Sequence, residues 1–221
     1  MINYLKKSLP SFFIGCILGF PIALCGINYQ EPNSTPIKEI VINEQETEYS
    51  KIFNQKVKKP EPKGVKQHEI IILPVNMSEE TQEMIIEISN KYDIAYTLTI
   101  AVIEHESECD ADAISKTGDY GLMQINQINH ELLSSTLGIS DFADSKQNVE
   151  AGCYMFNELF KKYKDVNLAL MAYNMGENGA SKLWEQGIYT SKYADEIIQR
   201  EIELSQYIDE RVGGNEKMGD Y

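Results

Sequence analysis

Three glutamates stand close together in the stretch from Ala95 to Asn126, AYTLTIAVIEHESECDADAISKTGDYGLMQIN, and the middle one is placed for chemistry. Leu98, Val102 and Glu106 recur every four residues, so Glu106 continues an apolar stripe along a helix expected from Ala95. Glu104 and Glu108 lie about 200° away around a 3.6-residue helix and belong to its solvent side. A carboxyl group at the inner end of an apolar stripe is costly to ionise, which raises its pKa towards the range where it donates a proton near neutrality. Glu106 is therefore the candidate general acid. The plainer alternative is a paired or exposed structural carboxylate, and periodicity alone does not separate the two.

Other groups capable of chemistry follow in the next loop. Asp110-Ala111-Asp112 starts like a calcium loop, but Ile114 and Ser115 stand where a third oxygen ligand and the turn glycine belong. His105 and Cys109 are an incomplete zinc pair in a chain with 3 histidines and no Cys-x-x-Cys. No metal and no cofactor is expected. Cys109 and Cys153 are the two cysteines outside the apolar N-terminal stretch, and a disulfide between them is an open alternative if this part is extracellular.

Four short blocks then change the standing of Glu106. Ile103-Glu104-His105-Glu106-Ser107, Gly121-Leu122-Met123-Gln124-Ile125-Asn126, Ala172-Tyr173-Asn174-Met175-Gly176 and Tyr193 occur in an order and spacing that resemble the soluble lytic transglycosylase family, over about residues 82 to 200. That resemblance implies a lysozyme-like fold and cleavage of peptidoglycan. Glycosidases ordinarily use two carboxylates, yet Asp110, Asp112 and Asp119 match no catalytic position of the resembled family. Its mechanism has one glutamate act twice. Glu106 would protonate the glycosidic oxygen while the muramyl N-acetyl group assists, and would then take the proton of the C6 hydroxyl as a 1,6-anhydro ring closes.

The same resemblance assigns supporting residues. Ser107 would hold the end of the Glu106 helix through its free carbonyls, Ser115 would lie near the substrate, and Met123 and Gln124 would line the sugar groove. Tyr173 and Asn174 belong to the Ala-Tyr-Asn block, and Tyr193 would bring its hydroxyl to the catalytic carboxyl and help keep it protonated. For Leu122 and Met123 the plain reading is core packing; for Gln124 and Asn174 it is turn or cap hydrogen bonding. His130 is expected to cap or pack near the helix that follows it, and Trp184, the only tryptophan, to sit in the core.

The elements that must carry these residues are nearly all helical. Ser78-Glu79-Glu80 opens a helix through Met84, Ile85, Ile88 and Tyr92. The Glu106 helix follows, then an irregular stretch from Cys109 to Asn129 and helices over 131–137, 145–163, 167–173, 179–186 and 191–207. The fold class is mainly α, or α+β in the lysozyme-like sense, with six or seven helices and a small β element near residues 118–126. Residues 78–207 form the catalytic domain in this reading, and 208–221 are a frayed tail with little apolar content.

Ahead of the domain, residues 1–28 combine Lys6 and Lys7 with an uncharged run from Ser8 to Gln30, the pattern of an export signal. An uncleaved signal anchor in the cytoplasmic membrane is favoured. A signal peptide cut near Ala23-Leu24-Cys25, or a lipoprotein site at Cys25 despite the bulky Leu24, stays open. Residues 29–77, rich in Pro, Glu, Lys and Gln, are expected to be a flexible linker. Residues 1–70 carry a net charge of +2 and residues 71–221 a net charge of −16, which excludes nucleic-acid binding by the folded part. The expected setting is the cell envelope outside the cytoplasm. Peptidoglycan strands are the expected partner, and secretion or conjugation machinery a possible one. Two rivals remain: a hydrolytic muramidase using the same Glu106, and a non-catalytic wall-docking module.

Overall fold

The computed structural model describes residues 70–216; the expected signal segment and most of the expected linker lie outside them. The six α-helices among the described residues are α1 (Glu79–Lys91), α2 (Tyr96–Ser107), α3 (His130–Leu137), α4 (Ser145–Tyr163), α5 (Val166–Trp184) and α6 (Lys192–Glu216). A two-stranded antiparallel sheet, β1 (Asp119–Tyr120) and β2 (Ile125–Asn126), stands between α2 and α3, with a 3-10 turn at Gln127–Asn129. The fold is thus mainly α with one small β excursion, as its sequence implies. Among the described residues, no helix is long and apolar enough to cross a membrane.

Side-chain caps set where these helices begin. The Ser78 hydroxyl accepts from the Thr81 amide, Asp144 from Gln147, and Asp165 from Asn167 and Leu168; each satisfies amides that have no partner within the helix. The helix α2 has no such cap and owes its stability to burial instead. Every residue from Thr97 to Ile103 is buried, because α1 and α6 pack against it while α4 packs against α1 and α5. The stripe of Leu98 and Val102 is real but not distinctive, since Ile100 and Ile103 are equally enclosed.

Three expected boundaries move. The folded part begins inside the stretch read as linker: Leu73 is buried, and Gln82 clamps it by accepting from its amide at 2.8 Å and donating to its carbonyl at 3.1 Å. In place of a frayed tail from residue 208, α6 continues to Glu216. The two short helices expected over 167–173 and 179–186 are one element broken at Gly176, whose φ of 72° and ψ of 155° interrupt the helical path. Cys109 and Cys153 are free thiols, so the disulfide alternative falls. Cys153 is fully buried, within 3.8 Å of the Thr99 hydroxyl, and burial pushes its thiol up to about 12.

Candidate active site

Glu106 occupies the last turn of α2. The chain leaves that turn through two left-handed residues, Glu108 (φ 53°) and Cys109 (φ 68°), and the buried Ser107 hydroxyl donates to the Ile103 carbonyl at 3.1 Å. The Ser107 hydroxyl thus bonds back within the last turn of α2. The three glutamates part company here: Glu108 is exposed, and Glu104 makes a two-pronged ion pair with Arg200 of α6 at 2.8 and 3.1 Å.

Glu106 itself keeps part of its surface open, yet the protein crowds its carboxyl group enough to raise the pKa from 4.5 to about 7. Loss of water is the largest cause, the Tyr193 hydrogen bond opposes it, and the negative charge of Asp119 adds to it. The negative end of the α2 dipole acts in the same upward sense. The Tyr193 hydroxyl donates to Glu106 Oε1 at 2.5 Å from the first turn of α6. The resemblance implies that this bond keeps the acid neutral. A donor to the carboxylate does the reverse, stabilising the anion left when the proton departs.

The small sheet faces this carboxyl group electrostatically through Asp119. The Ser115 hydroxyl donates to Asp119 Oδ2, as does that of Thr117 at 2.5 Å, while Asn126 Nδ2 donates to Oδ1 at 2.6 Å across the register Asp119↔Asn126. Ser115 Oγ also accepts from the amides of Thr117 and Asp119 at 3.1 and 3.0 Å. Ser115 thus closes the loop and holds Asp119. Asp119, set aside in the sequence because it matches no catalytic position of the resembled family, is the carboxylate whose charge reaches Glu106, and the hydroxyls of the run Ser115-Lys116-Thr117-Gly118-Asp119 satisfy it.

The Gly121–Gln124 segment is pinned from several sides. Asn148 of α4 is fully buried; its amide donates to the carbonyls of Tyr120 at 2.6 Å and Phe142 at 2.8 Å and accepts from the Met123 amide at 2.8 Å. A side chain at Gly121, where φ is 69°, would meet the Asn148 amide at 2.7 Å, so glycine is required there on two counts. Nothing in the sequence marks Asn148, because its partners lie up to 28 residues away. Met123 is 2% exposed and packs on Gly152, whose missing Cβ makes room for the sulfur. The expectation that Met123 lines a sugar groove is therefore corrected, and it belongs to the core with Leu122.

Gln124 adopts a left-handed backbone (φ 46°) and donates through Nε2 to the carbonyls of Gly121 at 2.9 Å and Ala113 at 3.2 Å. Tyr173 of α5 reaches across to donate to the Met123 carbonyl at 2.9 Å, and Glu106 lies within electrostatic reach of its hydroxyl. Asn174 follows on the exposed side of α5. His130 packs flat on Phe142, with ring centroids 3.7 Å apart, and its Nε2 lies 3.2 Å from the Ile125 carbonyl. Trp184 is buried edge-on to Tyr163. The structure thus joins Glu106, Tyr193, Tyr173 and Asp119 around one locus, with Ser107, Ser115 and Gln124 holding the segments that carry them.

A partly enclosed carboxylic acid at a helix end, with its pKa raised to about 7 and a hydroxyl donor on its oxygen, can serve as a general acid. Comparison with known proteins agrees: residues 83–196 match the transglycosylase SLT domain family, and the chain belongs to that family. It is 31% identical over 111 residues to the transglycosylase of Enterobacteria phage PRD1, covering 50% of this chain and 39% of that protein. To the membrane-bound lytic murein transglycosylase F of Desulfosudis oleivorans it is 30% identical over 95 residues, covering 40% of this chain and 20% of that protein. The fold matches that of an inactive mutant of the lytic transglycosylase Slt of Pseudomonas aeruginosa with a TM-score of 0.52 at 17% identity, over 61% of this chain and 25% of that one. The chain accordingly spans well under half the length of these relatives.

Proposed function

We propose that this protein is a lytic transglycosylase that cleaves the β-1,4 bond between N-acetylmuramic acid and N-acetylglucosamine in peptidoglycan and leaves 1,6-anhydromuramic ends. The observation that carries this reading is a single carboxylic acid, Glu106, with a pKa of about 7 and a hydroxyl donor aimed at its oxygen, in a member of the SLT family. Near neutral pH such a group is present in both forms, as a residue that must act as acid and then base requires.

In the first step Glu106 gives its proton to the glycosidic oxygen, the C1–O bond breaks, and the muramyl N-acetyl oxygen supports the electron-poor C1. Tyr193 stabilises the resulting carboxylate, so its hydrogen bond strengthens as charge develops. In the second step that carboxylate removes the C6 hydroxyl proton, O6 bonds to C1, and the acid is regenerated. No water is consumed. Asp119 is disfavoured as a nucleophile because both of its oxygens accept hydrogen bonds within the hairpin. Its charge would instead favour the cationic C1 centre. Gln124, Asn174 and Tyr173 are proposed to lie along the sugar path, with Ser115 acting through Asp119. The N-terminal segment is proposed to hold the domain at the outer side of the cytoplasmic membrane, where a secretion or conjugation assembly would use local opening of the wall.

The electrostatic reach of Asp119 to Glu106 favours a second reading, hydrolysis by water with the same acid. One experiment separates them. The full chain in mild detergent, incubated with purified peptidoglycan, is expected to release muropeptides whose mass lacks one water at the muramyl end, and Glu106→Gln to release none. Reducing muramyl ends would make the enzyme a muramidase; absence of products from several wall types would leave a docking module.

A further inference from the structure

We propose that His105 is a positioning residue that sets the Tyr193 hydroxyl against Glu106 by packing against the Tyr193 ring. His105 and Glu106 are neighbours in the last turn of α2 and so point about 100° apart. Glu106 meets the tip of Tyr193, and His105 meets its ring: the His105 and Tyr193 centroids lie 4.8 Å apart with planes inclined at 73°. Two contacts from adjacent residues of one helix thus fix the phenol at both its ring and its hydroxyl.

The imidazole is itself held from behind. His105 Nε2 lies 3.3 Å from Glu196 Oε2, and Glu196 Oε1 lies 3.4 Å from the Lys192 ammonium one turn earlier on α6. Tyr193 and Glu196 are three residues apart, so α6 presents them on one side, the ring and its brace together. Behind them runs an open groove of about 260 Å³ lined by Ala101, Glu104, His105, Glu196, Ile197 and Arg200. The charges facing His105 are therefore Glu196 and Lys192 from α6, and Glu104 with its partner Arg200; those facing Glu106 are Asp119, with the hydroxyls of Tyr193 and Tyr173. Since His105 and Glu196 are both well exposed, with side chains 36% and 48% accessible, their pairing adds little to stability. Its consequence is geometric: a 2.5 Å hydrogen bond loses strength steeply when the donor swings out of line.

The inference rests on the reading of Glu106 as proton donor for its effect on rate, but not for its effect on titration. The full chain, carrying carbon-13 at the glutamate carboxyl groups, is titrated by NMR, with the Glu106 signal assigned by its loss in Glu106→Gln. His105→Ala is expected to move the Glu106 midpoint upward, towards that of Tyr193→Phe, and to slow muropeptide release roughly three- to tenfold through lost alignment. His105→Phe, which keeps a ring against Tyr193 without a charge or a nitrogen, is expected to restore both. An unmoved midpoint in a natively folded His105→Ala would overturn the proposal, as would a His105→Phe midpoint displaced as far as that of His105→Ala. If the midpoints move as expected while no form releases muropeptides, the positioning stands and the activity reading fails.

Discussion

Replacing Glu106 by Gln should abolish the proposed reaction and, above neutral pH, stabilise the fold. The sign follows from the raised pKa. Below about pH 4.5 the group is protonated in both folded and unfolded chains, and its burial carries no ionisation cost. Between pH 4.5 and about 7 the unfolded chain gives up the proton while the folded one retains it, so stability falls as pH rises and the full cost is present above about 7. A rise from 4.5 to about 7 at 1.36 kcal/mol per pH unit comes to about 3 kcal/mol. Gln never ionises, and its Oε1 can still accept from Tyr193. Urea unfolding followed by circular dichroism should therefore show Glu106→Gln matching the wild type at pH 4 and exceeding it by about 3 kcal/mol at pH 8.5, a difference of about 10 °C in Tm. Equal stability at pH 8.5, or an advantage undiminished at pH 4, would refute the argument that burial is what raises this acid.

Three further outcomes follow from the same site. Tyr193→Phe removes a charge-assisted donor worth about 1.5–3 kcal/mol, so the high-pH limb of the rate profile should move up by about 1–2 pH units while the maximal rate falls. Asp119→Asn removes a negative charge that opposes ionisation, so that limb should move down; both are read from initial muropeptide release at low wall concentration across pH 5–9. Gly121→Ala forces a Cβ to 2.7 Å from the Asn148 amide at a φ of 69° and should destabilise the domain by about 2 kcal/mol or more, measured by the same urea titration.

What the sequence disclosed and what it hid divide along a physical line. Local signals read well: Ser78 caps α1 as its sequence implies, and the α4 expectation of 145–163 coincides with Ser145–Tyr163. Glu106 stands out through the order and spacing of the four blocks that resemble a known family, Gly121–Asn126 among them, because its four-residue stripe alone leaves a structural carboxylate open. The hidden parts depend on contacts between distant segments. Asn148 holds the hairpin from another helix, Glu104 is drawn from its expected solvent position by Arg200 of α6, and Met123 faces inward because Gly152 leaves it space. Which way the Tyr193 bond shifts Glu106 depends on donor direction, which no spacing encodes. The expected fraying after residue 207 judged apolar content alone, whereas α6 is carried past that point as the continuation of a helix packed along α2 and α5.

The backbone around Glu106 shares the cost that its side chain bears. Among the described residues, three of the five non-glycine residues with positive φ, namely Glu108, Cys109 and Gln124, belong to the two segments that frame the carboxyl group. Each such residue costs on the order of 1 kcal/mol, which together with the ionisation of Glu106 concentrates several kcal/mol of unfavourable free energy in one place. The hydrogen bonds there act as its counterweight. Gln124 returns two bonds to the carbonyls beside its own strained turn, and Ser107 secures the helix end from which Glu108 and Cys109 depart. Relaxing either segment would let the hairpin or the helix end drift, changing both how much water reaches Glu106 and how squarely Tyr193 meets it. The partly enclosed acid thus sits in a frame whose strained residues Glu108, Cys109 and Gln124 are carried by the densely packed α2 and the pinned hairpin.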